Sequence, residues 1–186
     1  MKRFSFILTA AALVWMAAGS VTQDIDYRPK LLLKTLKKHG VPGFEYLQPI
    51  PVPHHGPTPG KFFEVTQPDA AVRYVYVGRV NSCRAGGCSQ PDAPTAEELE
   101  HEYFDYFILF DAEVRVRAIR VYNYAASYGY EITAPGWLRQ FIGYDGSREL
   151  AVGKDVDAIT GATVSVYAIT ADVEAKTHQL KEWLAT

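Results

Sequence analysis

Between Val72 and Val80 β-branched and aromatic residues follow one another with a period of two, interrupted only by Arg73, Gly78 and Arg79, and this pattern predicts a strand. A shorter strand is expected at Phe62–Val65, with a turn at Asp69–Ala70. Tyr103 to Phe110 and Val114 to Tyr124 read as two adjacent strands joined at Asp111-Ala112-Glu113, a hairpin. In the second, Val114, Val116 and Ala118 alternate with Arg115 and Arg117. Ile119 and Val121 then reverse phase against Arg120, which predicts a bulge. This hairpin is the expected centre of the sheet.

A period near 3.6 marks the flanks. From Tyr27 to His39, leucines at 31, 32, 33 and 36 form a stripe beside Lys30, Lys34, Lys37 and Lys38. Pro29 suits the first turn of that helix, and Gly40 with Pro42 ends it. Packing on the domain is its plain role, and the basic face also suits a membrane surface. Val164 to Leu184 predicts a C-terminal helix with Ile169, Val173, Leu180 and Leu184 inward. Trp137 begins a short helix that Gly143 closes, and Thr95 to Glu102 has room for one or two turns. Between Gln48 and Gly60, Pro49, Pro51, Pro53, Pro57 and Pro59 exclude helix and central strand, so an extended connector is expected. Its His54-His55 pair reads as solvent-facing loop and not as a metal site. The expected fold class is α+β: a small antiparallel or mixed sheet with a hairpin core, flanking short helices and a C-terminal helix.

Composition narrows this picture. The 186 residues are 48% hydrophobic, enough for a core, and the net charge of −2 offers no basic footprint for nucleic acid. Lys2 and Arg3 precede an uncharged, mostly apolar run from Phe4 to Val21 that closes on Ala17, Ala18, Gly19 and Ser20. This is the layout of a signal peptide cut after Gly19 or Ser20, or of an uncleaved N-terminal anchor. Either implies export, to a periplasmic or other extracytoplasmic location. There Cys83 and Cys88, around Gly86-Gly87, read as a local disulfide. The chain divides into a leader (1–20), a helix with connector (21–60) and a domain (61–186).

Chemistry concentrates just ahead of the last helix, in Asp157-Ala158-Ile159-Thr160-Gly161-Ala162-Thr163-Val164-Ser165. A hydroxyl-rich turn at a helix start directs backbone N–H groups toward an anion. Capping of the helix by Asp157, Thr160, Thr163 or Ser165 is the plainer account of these side chains. Asp157 followed by Thr160-Gly161-Ala162-Thr163 resembles the flavinylation motif Asp-x-x-Ser/Thr-Gly-Ala-Thr of the FMN-binding domain family, which includes periplasmic subunits of Rnf- and Nqr-type electron-transfer complexes. The resemblance covers about Lys61 to Ala171. It implies FMN joined through a phosphoester to Thr163 by a flavin transferase, with Gly161 and Ala162 allowing close approach and Asp157, Thr160 and Ser165 around it. In those subunits a Glu-Thr-Pro-Gly-Leu-Gly loop lies against the flavin. Here Gly129-Tyr130-Glu131-Ile132-Thr133-Ala134-Pro135-Gly136 keeps its flavour at altered spacing, which makes Gly129, Tyr130 and Glu131 candidate contacts. Tyr128 and Trp137 are candidates for stacking, with core packing the plainer reading.

No catalytic triad, metal site or nucleophile–base pair is legible. The expectation is therefore an electron carrier served by a membrane-bound donor or acceptor, more than a stand-alone enzyme such as an FMN-dependent reductase. The alternative is an exported, flavin-free ligand- or partner-binding module stapled by a disulfide.

Overall fold

The computed structural model describes residues 24–53, 59–84 and 101–186, and the backbone alone at Cys83, Arg84 and His101. The leader, the His54-His55 pair and the Cys83–Cys88 pairing lie outside the described residues. So does most of the helix expected over Thr95–Glu102, although His101 and Glu102 belong to a strand. No helix among the described residues is long and apolar enough to cross a membrane.

Five strands form one antiparallel sheet in chain order: β1 (Leu47–Ile50), β2 (Gly60–Val65), β3 (Tyr74–Arg84), β4 (His101–Phe110) and β5 (Val116–Tyr124). Helix α1 (Lys30–Lys38) covers one face and α3 (Thr163–Leu184) the other. On the α1 face, Leu32 and Leu36 meet Phe63, Val75, Val77, Phe107 and Leu109. On the α3 face, Val166, Ile169, Val173 and Leu180 meet Tyr76, Tyr106, Ile108 and Phe110. The fold class is α+β, as expected. At nine residues α1 is too short to be stable alone. Burial of Leu32 and Leu36, roughly 1.5–3 kcal/mol each, holds it to the sheet.

Several expectations need correction. The hairpin is present, but β5 is an edge strand, and the centre belongs to β3 and β4 with β2 beside them. The Pro-rich connector opens as a strand: β1 contains Pro49, paired with Phe63. Proline removes one N–H, and an edge strand is bonded on one side only, so the two are compatible. The bulge expected in β5 is present, as two register shifts that skip Arg117 and Tyr122, so Val116 and Ile119 face α3 while Ala118 faces α1. Helix α1 starts at Lys30, with Pro29 outside as its extended N-cap. Leu184 is exposed, and Trp183 is the partly buried residue at that end of α3.

Short helical turns follow β5: a 3-10 turn at Tyr130–Thr133, α2 (Pro135–Leu138) and a 3-10 turn at Arg139–Phe141. Gly143, at φ 87°, ends this run as expected and returns the chain to β5, where Gly143 and Tyr144 bond the backbone of Val116. The hairpin loop is tied by the Asp111 carboxylate, which accepts from the amides of Glu113 and Arg115. These bonds hold Val114 at φ 62°, a conformation that β-branched residues rarely take.

One aromatic ring of the core packs tightly over paired glycines. Gly60 and Gly78 are cross-strand partners, and the ring of Tyr76 occupies the space their missing side chains leave. A Cβ at either would stand 2.2 Å from the Tyr76 hydroxyl oxygen. Lys176 approaches the same ring, its Nζ 5.4 Å from the centroid. The Tyr76 hydroxyl is buried with no hydrogen-bond partner. Gly78→Ala should therefore lower stability by about 1–3 kcal/mol through overpacking, whereas Tyr76→Phe should be neutral or slightly stabilising. Denaturant unfolding of both variants separates the two effects.

Candidate functional site

Helix α3 begins with Thr163 as its first helical residue and Ala162 as its N-cap. The turn before it is set by Gly161 at φ 82°, a left-handed conformation that glycine accepts without strain. No side chain caps the helix, and no acid stands in its first turn. The capping account of Asp157, Thr160, Thr163 and Ser165 is thus not what these residues do. Val166 is the first residue whose amide has an intrahelical partner, the carbonyl of Ala162. The amides of Thr163, Val164 and Ser165 precede it at the positive end of the dipole of a 22-residue helix. Thr163 is exposed, as are Asp157, Thr160 and Gly161, while Ala162 is buried.

Ser165 differs from its neighbours. It is 3% exposed, and its hydroxyl lies 2.7 Å from that of Ser82 on β3 and 3.2 Å from that of Tyr124 on β5. Tyr124 donates to the carbonyl of Tyr128, so its oxygen accepts from Ser165, which in turn accepts from Ser82. One directional chain of hydroxyls thereby ties β3, α3, β5 and the loop after β5. The Tyr124 phenol is raised above its ordinary pKa, first by burial and also by Glu102 and Glu131; the Ser165 hydrogen bond acts in the opposite sense.

That loop is pressed against the mouth of α3. Gly129, at φ 89° and buried, packs so closely that an added Cβ would lie 2.8 Å from the Tyr124 oxygen, 2.9 Å from Ser165 Oγ and 3.3 Å from Ala162. Tyr128 and Tyr130 flank it, 73% and 68% exposed, and Tyr130 makes an edge contact on Tyr124 at 5.6 Å. One helical turn beyond Thr163, Tyr167 stands 57% exposed on the same stripe of α3. Three large rings held out in water near one end of a helix are unusual for residues that gain by burial.

Trp137 occupies the other side. Its ring packs edge-on against Phe141, and its indole N–H donates to the carbonyl of Asp157 at 2.9 Å. Gln140 accepts from the Asp157 amide at 2.8 Å, so α2 and the turn after it hold the segment that leads into Thr163. Further back, Asp155 accepts from the Ala151 amide, and these bonds with Arg148 at 2.5 Å keep its carboxyl below the ordinary range.

The structure brings Gly129, Ala162 and Ser165 into one packed unit, with Tyr130 beside it and Trp137 bracing Asp157. Thr160 and Gly161 form the exposed approach. Glu131 is exposed and reaches the site only through its charge on Tyr124. Ser82, Tyr124, Gln140 and Tyr167 were not legible as site residues. Of these Tyr167 alone carries a local signal, its spacing of one turn from Thr163. The residues present fit an esterified phosphate: an exposed threonine, uncommitted amides and no competing carboxylate in the first turn.

Gly129→Ala should displace the loop or cost about 1–3 kcal/mol, through the left-handed backbone and the contacts with Tyr124 and Ser165. Thermal melts, together with tyrosine fluorescence as a report on the loop, would check this. No protein-family model matches the chain, and no curated protein matches it in sequence, so the site stands on its own geometry and chemistry.

Proposed function

We propose that this protein is an exported flavoprotein that carries FMN on Thr163 and acts as an electron carrier outside the cytoplasm. The observation that carries the reading is the position of Thr163, an exposed residue at the uncapped first turn of α3, whose neighbours Ala162 and Ser165 pack against a tyrosine-rich loop. A flavin transferase needs that oxygen free and the backbone before it narrow, and Gly161 and Ala162 supply the second condition. The amides of Thr163, Val164 and Ser165 would hold the remaining phosphodiester charge. Tyr128, Tyr130 and Tyr167 offer surfaces on which a flat ring can rest. When bound, FMN supplies the redox chemistry. The chain supplies attachment, orientation and partial cover, and the loop closed by the Ser82–Ser165–Tyr124 chain sets where the ring lies. A covalent link suits a compartment in which dissociated FMN would be lost. A membrane-bound donor or acceptor completes the circuit.

Co-expression with a flavin transferase should add the mass of one FMN less one water, with colour that survives acid precipitation. Thr163→Val should abolish the addition, and Thr160→Val should leave it in place. Ser165 is too buried to serve, so peptide mapping that located the flavin there, or a colourless wild type, would overturn the assignment. The colourless result would favour the flavin-free binding module.

A further inference from the structure

A second feature of the molecule is electrostatic and lies on the α1 face. A groove of about 460 Å³ runs between α1 and the α2 turn, floored by β5. Lys34 and Lys38 line it from the helix, Arg117 and Arg120 from the strand, and Arg139 from the far wall. No carboxylate lines it. Among the described residues Lys34, Lys38 and Arg139 have no ion-pair partner, and Arg117 reaches Asp111 only at 4.0 Å. Arg120 donates to the carbonyl of Ile119. Five permanent cations from three elements converge on one groove of a chain whose net charge is −2. His39 at the groove's end records the field. Burial first, then Arg117, Arg120 and Lys38, hold its pKa below the ordinary imidazole range.

We infer that this groove binds the phosphate-bearing headgroups of an anionic phospholipid bilayer, and that the α1 face is the one the protein lays on a membrane. Charge complementarity supplies the attraction. The rim supplies the choice of ligand. Ile142, 43% exposed, and the partly buried Leu31 stand among the cations, as at a headgroup–acyl boundary and unlike a site for a fully polar solute. Position agrees with both. The apolar run Phe4–Val21 is separated from α1 by eight residues in the sequence, so a membrane that engages the run lies within reach of the basic face of α1. This inference does not depend on flavin attachment. The α2 turn places Arg139 and Ile142 in the groove and Trp137 and Gln140 against Asp157, so the two sites lie on opposite sides of one element.

The test is flotation of the full chain with vesicles of phosphatidylcholine, with and without phosphatidylglycerol, at low and high salt. The apolar run partitions into both kinds of vesicle, so the informative quantity is the preference for phosphatidylglycerol. That preference should be strong at low salt. In Lys34→Gln/Arg139→Gln it should fall roughly 30-fold, the weight of two cations at such a surface. Lys154→Gln/Lys181→Gln, with the same charge change elsewhere, should keep it, and all three proteins should melt alike. Equal binding to both vesicle types, or a groove variant that retains the preference, overturns the inference. So does displacement of the wild type from vesicles by millimolar inorganic phosphate, which would make the groove a site for a soluble phosphate.

Discussion

The register of the sheet depends on one row of polar side chains across three strands, buried at Arg79 and Asp105 and partly covered at Asn123. Arg79 on β3 faces Asp105 on β4, and Asp105 faces Asn123 on β5. The guanidinium contacts both carboxylate oxygens, at 2.7 and 3.1 Å, and Asn123 donates to the second at 2.8 Å. Arg79 also lies over the ring of Tyr103 at 3.6 Å. Asp105 is 1% exposed, so a slip of one residue would bury a charge with no partner, a penalty of about 3–5 kcal/mol. The apolar neighbours could not enforce this alone. Tyr76, Val77, Phe107 and Ile108 are buried on both faces of the sheet, and a shifted strand would still bury apolar groups.

The same row sets the candidate site. Ser82 stands three residues beyond Arg79, and Tyr124 directly follows Asn123, so the register that pairs Arg79, Asp105 and Asn123 also delivers both hydroxyls to Ser165. With the loop pinned by Gly129, the mouth of α3 is framed by rigid elements on three sides, which is how a site keeps its geometry. The two helices divide the work. The buried side of α3 locks the sheet, its first turn presents Thr163, and α1 turns its lysines to the opposite face.

Elements written in local pattern were readable in the sequence. The hairpin announced itself through Asp111, the C-terminal helix through Ile169, Val173 and Leu180, and the end of the α2 turn through Gly143. The placement of Asp157–Ala162 ahead of a helix was also legible, because small and hydroxyl residues at such a position carry their own geometry, although the helix takes in Thr163 and Ser165. What escaped depends on pairing over long separations. β5 reads as central because its bulges let Val116, Ala118 and Ile119 bury on both faces, and no local signal says that no further strand among the described residues pairs beyond it. Pro49 reads as a connector because its edge position is set by Phe63, far along the chain. Ser82 and Tyr124 sit 83 and 41 residues from Ser165, and nothing near either announces the contact.

The two margins of the sheet have a colloidal consequence. Along β1, Pro49 breaks the row of donors and the chain runs on into Pro51 and Pro53; on the other side Gly143 and Tyr144 already occupy the backbone of Val116. A net charge of −2 gives copies of this chain little mutual repulsion. Protection against strand-to-strand growth into fibrils therefore falls to backbone chemistry at the sheet's borders.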